Sequence, residues 1–323
     1  MDAGAKQIDA NRLPPLIVIC GATATGKTAL SIELAQIFDG EVINADSRYF
    51  YRGMDIGVAK PTRAERLGVP HHLIDILELD DPDGMSLAVF QRLAFATIDD
   101  VLARDRMPFL TGGTPLYINA VVENWRIPEV APDPVFREAI ALEIERVGLE
   151  PVVERLRAVD PVAAERSTAN PRRIIRALEI FEKTGGTMSE LEGKNPPRNR
   201  ALELGLTMPR DRLHAAIDAR ADDQIRAGLE NEVRSLLATG VSRSNPAFSS
   251  IGYRQLFPVI DGEQTLDEAI QVIKHGTHRY VRHQETWLRK NPRIVWIDVT
   301  EEDWHERAAE LVEQFLEHDR DSS

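Results

Sequence analysis

The chain has 323 residues, of which 43% are apolar and 28% charged, and its formal net charge is −13. This balance excludes a disordered chain, a collagen and a coiled-coil rod, and the length suits two domains or one interrupted domain. Apolar runs stay far below the ~20 residues of a membrane helix. Segment 1–15 is polar and has no apolar signal core, so we expect no secretion. The lone Cys20 fits a reducing compartment. We therefore expect a cytoplasmic protein without a membrane partner.

The acidic charge is unevenly distributed. Residues 298–323 hold ten acidic and two basic side chains, whereas 274–293 hold six basic and one acidic, and 166–212 hold ten basic and six acidic. The net charge argues against a nucleic-acid partner, but the two basic stretches allow local binding of a polyanion. Charge alone favours the simpler interpretation, in which both stretches are solvated helix faces.

The first part of the chain alternates predicted strands and helices. The apolar run Leu16–Cys20 is typical of a buried parallel strand, and helical spacing of apolar residues predicts a helix over Lys27–Phe38. Further strands are predicted over Glu41–Ala45, Leu73–Leu77 and Pro108–Thr111, with a helix that starts after Ser86 and runs to about Ala103. Such alternation indicates a parallel α/β sheet with right-handed crossovers.

The alternation stops after Tyr117 and returns after residue 200. Residues 125–200 show helical patterns, no convincing strand, and prolines near the predicted helix starts. Strands are predicted again over 201–208 and 293–299, and long helices over 211–238 and 266–289. The predicted fold is an α/β protein whose parallel-sheet core, residues 1–124 and 201–323, is interrupted by a helical insertion domain at 125–200.

A phosphate-binding motif lies between the first strand and the first helix. Residues 21–28 read GATATGKT and match the P-loop pattern Gly-x-x-x-x-Gly-Lys-Ser/Thr in its required context. The glycines let backbone N–H groups surround an anion, and the helix N-terminus adds partial positive charge. The predicted phosphate contacts are Gly21, Ala22, Thr23, Ala24, Thr25, Gly26, Lys27 and Thr28, with Lys27 on the terminal phosphate and the Thr28 hydroxyl on Mg2+.

An acidic residue follows the second strand rather than the fourth. ATPases and GTPases usually carry an Asp at the end of a later strand, but Thr111 is followed by Gly112, Gly113 and Thr114. Asp46 instead lies at the ligand-facing carboxyl edge. There it either holds Mg2+ through water or accepts a proton from a nucleophile, unless it merely caps a loop. An NTPase is thereby disfavoured but stays open.

Seven segments together resemble one enzyme family. In chain order they are GATATGKT (21–28), NADSRYFYRGMDIGVAKP (44–61), PHHLIDIL (70–77), TGGTPLY (111–117), NPRRIIRALEIF (170–181), GYRQL (252–256) and HQETWLRK (283–290). The set resembles the tRNA dimethylallyltransferases, or tRNA isopentenyltransferases, over about residues 14–297. This family transfers a dimethylallyl group from dimethylallyl diphosphate to N6 of adenosine 37 beside the tRNA anticodon, releasing diphosphate. The resemblance implies a magnesium-dependent cytoplasmic prenyltransferase in tRNA modification, and we expect a monomer.

The resemblance also implies roles for individual residues. Asp46 matches the general base for the adenine amine, Arg220 matches an arginine that contacts diphosphate, and Lys27 and Thr28 complete the catalytic set. A diphosphate leaving group in the P-loop would explain the missing acid after the fourth strand. The implied tRNA contacts are Asp46, Ser47, Arg48, Tyr49, Thr114, Arg172, Arg173, Arg176, Gly252, Tyr253, Arg254, Gln255, Arg282, Gln284, Thr286, Trp287 and Arg289.

Three local expectations follow for those tRNA contacts. The spacing of Arg172, Arg173 and Arg176 puts basic side chains on one side of a helix in the insertion. Tyr253 or Arg254 would stack on a base of the anticodon loop while Gln255 reads a base edge. Trp287, considered alone, is more often a core residue than a stacking platform. The two basic stretches found from charge are the two that the family uses for tRNA.

The chain departs from the family pattern at five positions. Tyr49 replaces a glutamine, Val58 a threonine, Ala216 an arginine, and His278 and His283 two frequent arginines. A non-catalytic RNA-binding relative, a P-loop small-molecule kinase and an adenylate prenyltransferase are the alternatives. The kinase alternative explains residues 1–118 but neither the basic insertion nor the segments at 252–256 and 283–290. We favour an active tRNA-modifying enzyme, because Lys27, Thr28, Asp46 and Arg220 all remain.

Overall fold

The computed structural model describes residues 13–81, 84–167 and 170–320, so the polar residues 1–12 and the last three residues of the acidic stretch lie outside it. The strands are β1 (Pro15–Gly21), β2 (Gly40–Asn44), β3 (His71–His72), β4 (Met107–Gly112), β5 (Trp125–Arg126), β6 (Gly193–Lys194), β7 (Arg200–Thr207) and β8 (Val295–Asp298). The helices are α1 (Lys27–Ile37), α2 (Leu87–Ala103), α3 (Pro115–Val122), α4 (Pro134–Val147), α5 (Glu150–Val159), α6 (Pro161–Ser167), α7 (Pro171–Thr184), α8 (Met188–Leu191), α9 (Arg210–Arg226), α10 (Leu229–Ala238), α11 (Phe257–Ile260), α12 (Leu266–Leu288) and α13 (Trp304–Arg320). Throughout these three ranges, every helix is too short or too polar to cross a bilayer.

A six-stranded parallel sheet forms the core, in the order β3-β2-β4-β1-β7-β8. The central strand β1 pairs with β4 and β7 at once, with Ile17 opposite both Phe109 and Leu202. Its residues 16–20 have no exposed surface, which explains their uninterrupted apolar sequence, since helices cover both faces of such a sheet. The predicted α/β fold is confirmed.

The strand order brings three carboxyl ends together. Because β4 lies between β1 and β2, the segments after Gly21, Asn44 and Gly112 emerge side by side at one edge of the sheet. The crossing is close: a Cβ on Gly112 would lie 2.3 Å from the Ala45 carbonyl oxygen, so this position requires glycine. This edge is where open α/β sheets bind their ligands.

Most of the acidic C-terminal stretch, Trp304–Arg320, forms α13, a helix that packs against the core. Ala308 and Val312 of α13 are fully buried and join the cluster that contains Leu30 and Leu34 of α1 and Ile297 of β8. The acidic side chains at 306, 310 and 313 lie on the exposed face of α13. These three charges thus lie on the solvated side of an amphipathic helix.

Three predicted elements need correction. The third strand is His71–His72 and not 73–77, because Leu73 and Asp75 adopt left-handed backbone angles of φ +57° and +56° that no strand allows. The predicted helix 211–238 breaks into α9 and α10 at Gly228, which has φ +98°. Between 125 and 200, where no strand was expected, β5 and β6 form a short antiparallel pair.

The chain divides into two compact units. One comprises residues 1–85, 90–122 and 197–323 and contains the six-stranded sheet; the other comprises 86–89 and 123–196. The second unit packs α4 to α7 around Val152, Leu156 and Ile174, which are fully buried. Prolines begin α4, α6 and α7 at their first residue, where the missing backbone N–H costs no helical hydrogen bond.

Candidate functional site

Residues 21–28 form a curled loop between β1 and α1. Ala24 and Gly26 adopt left-handed backbone angles of φ +68° and +89°. The Thr25 hydroxyl donates to the Ala22 carbonyl at 2.9 Å and fixes the curl from inside. Successive amides in such a conformation, followed directly by a helix N-terminus, form a concave anion site. The predicted strand, motif and helix therefore occur in the expected order.

The Lys27 ammonium lies inside this curl. Its Nζ donates to the Ala22 carbonyl at 2.7 Å. Burial lowers the pKa of Lys27 to about 8, with Asp46 raising it and Arg220 lowering it in smaller measure. Burial disfavours the charged form of Lys27. An anion that enters the loop stabilises this charged form, so the ammonium and the anion attract each other.

The loop opens into a cavity of about 1020 Å³ in the unit that contains the sheet. Residues from the three neighbouring strand ends line it together with helices α9 and α12. The lining includes Thr23, Ala24, Gly26, Lys27, Thr28, Asp46, Ser47, Arg48, Tyr49, Thr111, Gly112, Arg220, Gln224, Thr277 and Tyr280. The structure thus brings the predicted anion loop, the predicted base and Arg220 to one cavity.

Asp46 is held in place by the last residue of β2. The Asn44 side chain accepts the Asp46 N–H at 2.8 Å and donates to the Asp46 carbonyl at 3.0 Å and to the Leu73 carbonyl at 2.9 Å. The Asp46 carboxylate accepts the N–H of Arg48 at 2.9 Å. These bonds fix the carboxylate at the cavity wall. Among the described residues no ion pair neutralises it, so it is available to a ligand.

Oxygen ligands suited to Mg2+ line the same wall. In the part of the chain that the structure describes, the buried Thr111 hydroxyl has no hydrogen-bond partner, and it faces the cavity with Thr28 and Asp46. No group of three or more His, Cys, Asp or Glu side chains in those residues is arranged to hold a metal ion. The side-chain oxygens of Thr28, Asp46 and Thr111 fit Mg2+, which binds through few protein oxygens together with substrate phosphates.

A carboxylate that the sequence did not single out holds the wall at residues 55–60. Glu232 accepts the N–H groups of Asp55, Ile56 and Gly57 at 3.1, 2.7 and 3.1 Å. From α9, Gln224 donates to the carbonyls of Ile56 and Gly57 at 2.8 and 2.9 Å. The i, i+4 spacing of Arg220 and Gln224 is a signal that could have indicated this shared helix face.

Arg220 contacts the same wall, since its guanidinium donates to the Val58 carbonyl at 3.0 Å. Val58 and Tyr49, two departures from the family pattern, both line the cavity. The Tyr49 hydroxyl donates to the Ala59 carbonyl at 2.8 Å, and burial raises the pKa of Tyr49 to about 12. Tyr49 is thus a neutral aromatic wall and not a second base.

Tyr253 is a core residue, and the expectation that it stacks on a base is wrong. Its side chain is fully buried, and its hydroxyl donates to Glu232 at 2.6 Å. Its ring occupies the space beside Gly57, where an added Cβ would lie 2.4 Å from it. Gln255 accepts the N–H of Gly252 at 2.9 Å, whereas Arg254 remains exposed.

The predicted contacts on α12 and after it separate into two groups. Arg282, Thr286, Trp287 and Arg289 are exposed, with Trp287 at 42%. Gln284 is only 4% exposed, so its predicted role as a tRNA contact is wrong. Nearer the cavity, Thr114 accepts the Ser47 N–H at 3.3 Å, and Arg48 donates to the Ser249 hydroxyl at 2.9 Å.

The arginines of α7 also separate. Arg172 and Arg173 are exposed in the first turn. Arg176 instead pairs with the fully buried carboxylate of Glu179 at 2.6 Å and donates to the Val130 carbonyl at 2.9 Å. The expectation of three basic side chains on one free face is therefore wrong for Arg176, whose charge is used inside the helical unit.

Comparisons with known proteins agree over nearly the whole chain. Residues 49–291 match the model of the IPP transferase family, and residues 14–82 match that of isopentenyl transferases. A tRNA dimethylallyltransferase of Thermomicrobium roseum is 52% identical over 312 residues, covering 96% of this chain and 94% of that protein. One from a Roseiflexus species is 47% identical and covers 94% and 99%.

Solved structures of similar proteins share the fold. The full-length tRNA isopentenylpyrophosphate transferase of Bacillus halodurans is 37% identical, with a TM-score of 0.70 over 95% of this chain and 98% of that one. A eukaryotic dimethylallyltransferase, captured acting on tRNA, is 26% identical, with a TM-score of 0.77 over 94% of this chain and 80% of that one.

The buried position of Tyr253 leads to a stability prediction. Tyr253→Phe removes the hydrogen bond to the Glu232 carboxylate and should lower the free energy of unfolding by about 1–2 kcal/mol. Urea unfolding measures this, with Tyr51→Phe as the control, because Tyr51 does not contact Glu232. Equal stability of Tyr253→Phe and the unaltered chain would show that the hydroxyl contributes nothing to this wall.

Proposed function

This chain belongs to the IPP transferase family, and from that premise we propose that it transfers a dimethylallyl group from dimethylallyl diphosphate to N6 of adenosine 37 in tRNA. The observation that carries the proposal is that an anion loop and a fixed carboxylate, Asp46, line one cavity. The reaction needs both groups within reach of one carbon atom. One must hold a diphosphate, and the other must take a proton from the attacking amine.

In the proposed site, loop 21–28 acts as a P-loop and holds the diphosphate. Its amides, the N-terminus of α1 and the Lys27 ammonium stabilise the negative charge that grows as the bond between C1 and the diphosphate oxygen breaks. Arg220 adds a permanent positive charge at the same cavity. Thr28, and with it Thr111 from the wall of the same cavity, would hold Mg2+, which would supply further charge neutralisation on the leaving group.

Asp46 acts on the other reactant. The exocyclic amine of adenine is a weak nucleophile because its lone pair is delocalised into the ring. As the N6–C1 bond forms, the Asp46 carboxylate accepts one N6 proton, so that the product amine is neutral and diphosphate departs with the bonding electron pair. The Asn44 contacts keep the carboxylate at the edge where β2 ends.

The adenosine reaches this cavity only if it leaves the base stack, which an anticodon loop allows at a cost of a few kcal/mol. Exposed basic side chains are the proposed backbone contacts: Arg172 and Arg173 on α7, Arg254, and Arg282 and Arg289 at α12. Trp287, exposed near the end of α12, is a proposed stacking surface. A cytoplasmic location and a monomeric state stay predictions from the sequence.

The alternatives find less support at the site. A small-molecule kinase or other NTPase usually has an Asp at the end of a later strand to position Mg2+, but β4 ends in Thr111 and Gly112. Prenyl transfer to a free adenine nucleotide needs no basic surface outside the cavity.

The deciding experiment mixes protein, Mg2+, unmodified tRNA and radiolabelled dimethylallyl diphosphate. Label at adenosine 37 supports the proposal, whereas label on AMP, or phosphate transfer from ATP, contradicts it.

Removing the charge of Asp46 should stop the chemistry but not the binding. Asp46→Asn keeps the side-chain shape and should lower kcat roughly 10²–10⁴-fold, while inorganic diphosphate binds about as tightly as before. Radiolabel transfer and titration calorimetry measure the two effects. Asp105→Asn, at an exposed turn after α2, is the matched control. Full activity of Asp46→Asn would exclude Asp46 as the base.

Binding of diphosphate should weaken as pH rises through the pKa of Lys27. That pKa is about 8 in the free protein, so Lys27 is charged below pH 8 and must take up a proton to bind an anion above it. The affinity for inorganic diphosphate should therefore fall between pH 7 and pH 9. In the Lys27→Met variant, only the ionisation of diphosphate itself is expected to change its affinity with pH. Identical pH profiles for this variant and the unaltered chain would contradict the prediction.

The exposed arginines of α7 should contribute to tRNA affinity through phosphate contacts. In the double variant Arg172→Ala/Arg173→Ala, the slope of log affinity against log salt should decrease by about one for each lost contact. Arg155→Ala is the control within the same unit, since Arg155 is paired with Glu143 at 3.0 Å. An unchanged slope in the double variant would mean that this face does not touch tRNA.

A further inference from the structure

The Gln284 side chain joins two segments of the active site from the helix behind them. Its Oε1 accepts the N–H of Thr23 in the anion loop at 3.0 Å. Its Nε2 donates to the carbonyl of Gly113, in the turn that follows β4, at 2.7 Å. The side chain is 4% exposed, so water does not compete effectively for either bond.

This pair of bonds requires an amide. The end of the side chain must accept a hydrogen bond from a backbone N–H and donate one to a backbone C=O at the same time. An ionised glutamate would place negative charge against the Gly113 carbonyl, and an aliphatic side chain would leave both backbone groups buried and unpaired, which is costly. The fit is tight, because a Cβ on Gly113 would lie 2.6 Å from Nε2.

The contacts continue from this turn to the proposed base. Thr114, next to Gly113, accepts the N–H of Ser47 at 3.3 Å, and Ser47 follows Asp46. On the other side, Thr23 belongs to the anion loop, which also contains Lys27 and the backbone amides proposed to bind phosphate. Gln284 therefore connects the loop proposed to hold the diphosphate with the strand end that carries the carboxylate.

We infer that Gln284 is a positioning residue that fixes the anion loop relative to Asp46, and not a contact to tRNA. The inference rests on the proposed function, because the loop and Asp46 must act on one carbon atom. It also gives the Thr23 N–H a role: this amide is bound to Gln284, so the diphosphate is held by the amides that follow it. The same face of α12 lines the cavity with Ile273, Thr277 and Tyr280.

The test compares Gln284→Met, which keeps length but loses both bonds, with Gln91→Met. Gln91 donates to the Ala120 carbonyl at 2.6 Å and does not line the cavity. We expect Gln284→Met to weaken binding of inorganic diphosphate with Mg2+ roughly ten-fold, to raise KM for dimethylallyl diphosphate and to lower kcat. Its KM for tRNA should be unchanged, and Gln91→Met should behave as the unaltered chain in all four measurements.

If Gln284→Met does not fold, Gly113→Ala tests the same contact. The added methyl group would lie too close to Gln284 Nε2 and would displace the Gln284 side-chain amide. The same loss of diphosphate affinity is expected. Unaltered diphosphate binding in either folded variant, or a raised KM for tRNA alone, would overturn the positioning role. Failure of the unaltered chain to bind diphosphate would instead overturn the proposed function, and the inference with it.

Discussion

The close approach of Gly112 to Ala45 is the constraint on which the site depends. The two backbones are so near that a Cβ on Gly112 would overlap the Ala45 carbonyl, and the Ala45 N–H donates to the Thr111 carbonyl at 2.8 Å. The parallel ladder thus continues past the nominal end of β2 until Asp46 stands at the edge. Since β1 is the other neighbour of β4, its loop opens at the same height. One backbone contact thereby sets where the anion loop and the carboxylate meet.

Two side chains, Glu232 and Gln284, hold parts of the cavity wall that the sheet edge does not fix. Glu232 binds three successive backbone N–H groups of the wall and also the Tyr253 hydroxyl. The dipoles of these backbone N–H groups compensate the charge of the carboxylate. Gln284 does the corresponding work for the anion loop with a neutral amide. Both residues lie on helices far along the chain, so the C-terminal part of the chain is needed to complete a site that starts at residue 21.

The sequence predicted the elements whose signal is local. A buried parallel strand must be apolar throughout, and a P-loop must have its glycines and lysine at fixed spacing, so β1 and residues 21–28 were found without any partner. It failed where tertiary contacts override a local pattern. The left-handed backbone at Leu73 and Asp75 ends a run that otherwise has strand composition. Arg176 has the spacing of a basic face, but it forms an ion pair with the buried Glu179. Tyr253 and Gln284 have polar groups suited to RNA, and both are used inside the protein.

The packing of Tyr253 against Gly57 makes two distant motifs depend on each other. The ring fills the space that any side chain at position 57 would need, while the hydroxyl supports the carboxylate that binds the Gly57 N–H. The effect of a substitution at either position is therefore conditional on the residue at the other. A larger residue at 57 is tolerable only beside a smaller one at 253, and that smaller residue would give up the bond to Glu232. This epistasis keeps the two motifs fixed together, although nearly two hundred residues of sequence, with a complete helical unit, separate them.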